Sequence, residues 1–433
     1  MKPNAIFLLL GTAVVTSFAA LAACSSDSDP IDAGADASPV LADGSSPAPN
    51  DASARGDSAL RGDANPEDGG ATTKDGGSKD AGTATWGTPA LIPRPAVQYF
   101  GAFGRYVGLS GDGKTLVVSL DDAQKSLCVY ARGPMGWSLS TQLDSLYPGR
   151  IPGAVSVSRD GSTIVVGEPA QEGNVVVYSR SGAVWSSVSL ASGAAPYLFG
   201  QELSLSSDGN TLIALDSQGD SDFLGATSIY RRVGNGWSAP VLLNRPATFY
   251  RVRAAALNAD GTFAALLGDD SATSDALGTT EYAAGTWSIP TGISQGHDSS
   301  YVALSDDGSV VATSRAFPGT GATGHLRIYQ RSGAVWSAPT TLQQPAGVSQ
   351  QTPVEQMRMS RNGNTVAVKV SVDAQVYDRT GANTWSGPWL APRAEASGQS
   401  QGDIAVSDDG NTLVVSNNTW GAGRGAVYVY ERK

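Results

Sequence analysis

Seven Asp-Gly or Asn-Gly pairs recur along this chain, each set between two short apolar runs. They stand at Asp112-Gly113, Asp160-Gly161, Asp208-Gly209, Asp260-Gly261, Asp307-Gly308, Asn362-Gly363 and Asp409-Gly410, at intervals of 48, 48, 52, 47, 55 and 47 residues. Glycine accepts positive φ without steric cost and Asp or Asn tolerates it, so each pair closes a tight antiparallel hairpin. The copy from Ala154 to Ser186 shows the unit. Val155 and Val157, Ile164 and Val166, and Val175 and Val177 recur at every second position, which places each pair on one face of a strand. A third strand ends at Tyr178, and Trp185 opens a fourth. Four such strands make a small sheet that cannot bury both faces alone, so it needs neighbours of its own kind.

A Trp follows each of the first six hairpins in register, at Trp137, Trp185, Trp237, Trp287, Trp336 and Trp385. A Tyr stands seven residues before four of them, at Tyr130, Tyr178, Tyr230 and Tyr329, and Tyr377 stands eight before its Trp. Tyr282 is five before Trp287, so a clipped hairpin is expected in the fourth copy. A period near fifty with four strands per copy points to propeller blades. The seventh hairpin has no downstream Trp, but Trp86-Gly87-Thr88-Pro89-Ala90-Leu91 matches Trp237-Ser238-Ala239-Pro240-Val241-Leu242. The sequence therefore predicts an all-β fold over residues 84–433, a seven-bladed β-propeller of four-stranded antiparallel blades. Pairing of the N-terminal strand with the last blade closes it and removes the open edges that would template aggregation.

Ahead of the ring, residues 1–23 are expected to be a lipoprotein signal peptide: Met1-Lys2, then an apolar run, then Leu21-Ala22-Ala23-Cys24. The cut falls before Cys24, whose thiol is lipidated, and Ser25 resembles the outer-membrane sorting preference. Residues 24–83 are rich in Ala, Asp, Gly, Ser and Pro, with twelve acidic and four basic residues, a net of −8. Such a composition stays disordered because it cannot offset chain entropy by burial. A flexible tether of this length reaches roughly 40 Å. The acidity excludes nucleic acid, which demands a basic footprint. Arg55-Gly56-Asp57 and Arg61-Gly62-Asp63 read as chance products of this composition. With Cys24 lipidated, Cys128 has no partner and is expected to be a buried small hydrophobe.

The units resemble FG-GAP repeats of a bacterial kind, related to those that build integrin α-subunit propellers. The match is carried by Phe199-Gly200, by Leu203 to Leu212, by Gly425-Ala426-Val427-Tyr428-Val429-Tyr430 and by Arg331-Ser332-Gly333-Ala334-Val335-Trp336. Val166-Gly167-Glu168-Pro169 stands for the GAP part, and Phe103-Gly104 for FG in the first copy. The resemblance implies a module that binds, adheres or scaffolds. It also implies a place for calcium, since integrin-type copies often carry an acidic loop between strands. The candidates are Asp216, Asp220 and Asp222 in copy three, then Asp269, Asp270 and Asp275 in copy four; neither set has the family spacing.

Catalysis finds little support. His297 and His325 are the two histidines, so a three-His zinc site is excluded. Gly398-Gln399-Ser400-Gln401-Gly402 matches G-x-S-x-G, but a polar loop precedes it and a strand follows it, whereas a nucleophile elbow needs the strand first and a helix after. The expected function is a lipid-anchored, non-catalytic scaffold of the cell envelope, monomeric, with a protein or glycan partner and no cofactor unless calcium. Trp420, Phe317 and Trp389, which fall outside the repeating Trp register, are the candidate docking aromatics. The alternative is a hydrolase or lyase with its site at a channel mouth. A scaffold predicts unspecialised channel residues; an enzyme predicts polar side chains converging at one mouth.

Overall fold

Each hairpin is held by a side-chain network, which four of the seven copies carry as Ser-x-Asp-Gly-x-Thr. In the computed structural model Ser158 Oγ donates to Asp160 Oδ1 at 2.7 Å and accepts the Thr163 N–H at 3.0 Å. Asp160 Oδ1 accepts the Ser162 N–H at 2.9 Å. The pattern recurs at Ser206, Asp208 and Thr211 and at Ser407, Asp409 and Thr412. Asn362 serves the same way between Ser360 and Thr365. Gly161 has a φ of +67°, and a Cβ there would lie 2.4 Å from Thr115 Oγ1. The turn and the preceding sheet both require glycine at this position.

The structure describes residues 85–95, 102–120, 125–147, 152–169, 173–193, 198–216, 226–243, 251–271, 274–297, 299–314, 326–344, 354–370, 373–391, 402–418 and 425–433. All lie in the unit Ser78–Lys433. Cys24 and the acidic stretch lie outside the described residues.

The described strands form seven antiparallel sheets. Blade 1 runs outward through Phe103–Leu109, Thr115–Leu120, Lys125–Gly133 and Gly136–Asp144. Blade 2 repeats this with Ala154–Val157, Thr163–Glu168, Asn174–Ser181 and Val184–Leu190. Blades 3 to 6 begin at Glu202–Leu205, Arg251–Leu257, Tyr301–Leu304 and Val354–Met359. In blades 3, 4 and 5 the outer strand is broken in two, and both pieces pair with the third strand. The break falls at Ser238-Ala239-Pro240, Ser288-Ile289-Pro290 and Ser337-Ala338-Pro339. Proline has no N–H to give the ladder, so it sits on the edge strand.

Blade 7 contributes Ile404–Val406, Thr412–Asn417 and Ala426–Glu431. Its fourth strand is Ala90–Leu91, which pairs antiparallel with Ala426–Glu431. Trp86 bridges Arg432 as Trp237 pairs with Arg232. The expected closure is therefore present. A second circle seals it near the axis, where backbone N–H groups of each blade's first hairpin donate to the next blade's. The donors are Asp112, Arg159, Asp208, Ala259, Asp306, Asn362 and Asp408, the acceptors Arg159, Ser207, Ala259, Asp306, Arg361, Asp408 and Gly111, over 2.7 to 3.1 Å.

The fourth copy is not clipped. Tyr282 pairs with Trp287 just as Arg232 pairs with Trp237 and Arg331 with Trp336. Tyr282 thus occupies the arginine position, and Thr280 stands where the other third strands have their Tyr. The hairpin has its normal length; the residue types have changed.

Seven apolar layers fill the spaces between blades, six with one Trp packed against them and the seventh with two, Trp86 and Trp389. Ile164 and Val166 face blade 1, in a layer with Val117 and Val129 that Trp185 covers. Val165 between them faces blade 3, beside Leu212 and Ala214. Second strands are buried throughout because both faces are covered. Cys128 is buried in this way, as expected. Phe199-Gly200 meets Val166-Gly167 across a blade boundary, where a Cβ on Gly167 would lie 1.7 Å from the Gly200 carbonyl oxygen. The third-strand tyrosines cross the same boundaries: Tyr130 Oη donates to the Pro93 carbonyl and Tyr178 Oη to that of Asp144, both at 2.7 Å. Tyr377 Oη donates to the Gln343 carbonyl at 2.9 Å.

Candidate functional site

The innermost strands surround a channel of about 180 Å³, to which the seven blades contribute wall residues. Successive side chains on these strands point alternately at the previous and the next blade. Small residues line much of the wall, including Gly108, Ala154, Ala254, Ala255 and Ala303. Charge gathers at its two ends.

At the hairpin end, four charged side chains from blades 2, 5, 6 and 7 meet across the axis. Arg159 pairs with Asp306 and, through Nε, with Asp408. Arg361 donates to the carbonyls of Leu257 at 2.8 Å and Leu205 at 3.1 Å, and lies 3.9 Å from Asp306. Ser207 Oγ donates to Asp306 Oδ1 at 2.6 Å. The hydrogen bond from Arg159 raises that guanidinium's own pKa, while burial raises the carboxyl of Asp408 against the pull of Arg159.

The opposite end carries Glu202, Arg358, Asp403, Tyr106 and Tyr301, from blades 3, 6, 7, 1 and 5. Arg358 Nη2 pairs with Asp403 Oδ1 at 3.0 Å, and its Nη1 donates to Gln356 Oε1 and to the Met357 carbonyl. Asp403 is buried and also accepts the Ile404 N–H at 2.8 Å and the Val107 N–H at 3.3 Å. Burial raises its carboxyl above the usual range despite these donors. Tyr301 Oη donates to the Glu355 carbonyl, and the carboxylate of Glu355 takes the ammonium of buried Lys369.

Glu202 differs. It makes no hydrogen bond or ion pair with a described residue, and solvent reaches its side chain only inside the channel, where the protein walls surround it. This desolvation pushes its carboxyl up to about 7; Arg358 draws it down and Asp403 raises it further. Burial raises the Tyr106 and Tyr301 phenols, and the charge of Glu202 adds to both. These groups therefore feel one another across the channel. Charged side chains thus converge at both mouths of the channel, not at one.

None of the candidates named from the sequence that fall among the described residues lies here. Asp216 is fully buried at the end of Thr211–Asp216, while Asp220 and Asp222 lie outside the described residues. Asp269 pairs with Arg251 and with Arg253. Among the described residues no group of three His, Cys, Asp or Glu side chains is arranged to hold a metal. Trp389 stacks on Trp86 at 5.1 Å and meets Tyr430 edge-on at 5.8 Å, so it is a packing residue of the seventh layer. Trp420, Phe317, Ser400 and His325 lie outside the described residues. The channel groups had one local signal. Three residues before the last apolar residue of the innermost strand, Ala154 and Ala254 have their counterparts in Glu202 and Asp403.

No family model and no curated protein matches the sequence. Solved structures do: the β-propeller domain of Cps50 (Swd1) from Myceliophteria thermophila superposes with a TM-score of 0.53 at 10% identity, covering 79% of this chain and 99% of that one. The likeness shows the fold, a seven-bladed β-propeller.

Proposed function

We propose that the chain is a lipid-anchored binding propeller of the bacterial cell envelope, of the FG-GAP kind, presenting a rigid ring to a protein or glycan. The observation that carries this reading is how the polar groups of the ring are used. Arg159, Arg358, Arg432 and Lys369 are each engaged with a carboxylate of another blade or strand. A ring braced in this way keeps its described strands and tight hairpins in fixed relative positions, which lowers the ordering cost of binding. Cys24 supports anchoring, and the acidic tether supports a stand-off from a membrane surface.

The test has two arms. With Cys24→Ser the protein should leave the membrane fraction for the soluble one; retention there overturns the anchor. The ring, residues 84–433, should capture a partner from envelope extract, and Trp420→Ala or Phe317→Ala should weaken capture about tenfold with melting unchanged. Unfolding of both variants, or undiminished capture by both, overturns their docking role. A second reading, a hydrolase or lyase at the channel mouth, is favoured by the convergence around Glu202. It needs a second group free to move a proton, and Asp403 is held by three donors.

A further inference from the structure

We infer that the channel end at Glu202 is a binding site for an alkylammonium group, such as a lysine side chain or a small aliphatic amine. Of the other charged groups at this end, Arg358 pairs with Asp403, Lys369 pairs with Glu355, and Arg105 lies over the Tyr106 ring at 5.7 Å. Glu202 alone adds a carboxylate with no counter-ion among the described residues. An ammonium supplies the missing charge and three donors to an acceptor-only group. Tyr301 of blade 5 lines this end and adds an aromatic face that favours a cation over an anion, as the Tyr106 ring of blade 1 does for Arg105 at 5.7 Å.

The wall below suits the rest of such a ligand. Ala154, Ala254 and Ala303 keep the bore open between walls that also carry polar groups, and about 180 Å³ is the share of about six waters, room for a chain of about lysine's length. The hairpin end stops the chain, because Arg159 crosses the axis to Asp306 and Asp408. The carboxylates there, Asp306 and Asp408, are already engaged by Arg159 and Arg361, so the ammonium stays at Glu202 and the chain points inward. The site rests on the channel alone and stands whether or not the ring is anchored or captures a protein.

The probe is n-butylammonium, titrated into the intact protein and followed by calorimetry, with n-butanol and butyrate as uncharged and anionic counterparts. A ligand this small should bind with a Kd of about 1 mM. Butanol and butyrate should bind at least tenfold more weakly. Glu202→Gln, which keeps the shape and removes the charge, should weaken butylammonium about tenfold or more. Ala154→Leu, which fills the bore and leaves Glu202 in place, should do the same. Affinity should rise about tenfold from pH 6 to pH 8 as Glu202 ionises. Arg105, Arg358, Asp403, Tyr106, Tyr301 and the Glu355–Lys369 pair also face this end, so the rise must vanish in Glu202→Gln to be assigned to Glu202. Equal binding of butanol, tighter binding of butyrate, or unaltered affinity in a folded Glu202→Gln would each overturn the site. If Glu202→Gln fails to melt cooperatively, Ala154→Leu decides: undiminished binding there refutes it.

Discussion

Asn362 does at one turn what aspartate does at its counterparts, accepting from the Ser360 hydroxyl and the Asn364 N–H. The turn therefore needs the oxygen, not the charge. Asp160→Asn should cost under about 1 kcal/mol and Asp160→Ala about 1–2 kcal/mol, read from urea unfolding. The charge has its effect in acid. Partial burial raises the Asp160 carboxyl, but hydrogen bonds from Ser162 and Ser158 outweigh it and hold the group below its ordinary value. Hydrogen bonding from Thr262 lowers Asp260 first of all, and Asp307 and Asp409 are lowered on balance as well. A carboxyl whose folded value lies below its unfolded one contributes fully above about pH 4 and loses that contribution as pH falls through the folded value. Replacing these four residues by Asn should flatten the acid limb of stability below pH 4 and leave the limb from pH 5 to 8 unmoved. A steeper acid limb would contradict it.

The closing strand is two residues long by pairing, yet it brings Trp86 onto Trp389 and Tyr430. Its hold is side-chain burial more than ladder. Trp86→Ala and Trp389→Ala should each destabilise by about 2–4 kcal/mol, and deletion of residues 84–92 should make the ring self-associate through the bared edge of Ala426–Glu431. Denaturant midpoints and size-exclusion chromatography check both; a monomeric, fully stable deletion would refute the account. This closure was legible in sequence because Trp-x-x-Pro is a local mark that repeats at Trp86, Trp237 and Trp336. The packing of Trp389 was not legible because its partner lies some three hundred positions away, at Trp86. Tyr282 misled for the opposite reason: a spacing was counted from residue type, whereas its register is that of an arginine. Seven hairpins could be read because each is specified within about six residues. Glu202 could not, since five blades meeting on the axis create its surroundings.

The ring as a body should fail in alkali. Burial raises the phenols of Tyr130, Tyr230, Tyr301 and Tyr377 well above 10, and that of Tyr430 to about 12. Their protonated forms are favoured by folding. Stability is whole below pH 10, where the unfolded phenols keep their protons, and is lost as pH rises from there through the folded values. Each such tyrosine contributes about 1.4 kcal/mol of loss per pH unit in that window. Tyrosine absorbance near 295 nm should therefore rise in one step together with unfolding, above pH 10; gradual titration of a folded ring would contradict it. The seam at blade 7 has one more consequence. Lys433 donates its N–H to the Thr85 carbonyl at 3.0 Å, so the beginning and end of the ring lie side by side. A circular permutant that joins them through a short Gly-Ser link and opens the chain between two other blades should reach the same architecture, with the non-covalent seam moved to a new sector of the wheel.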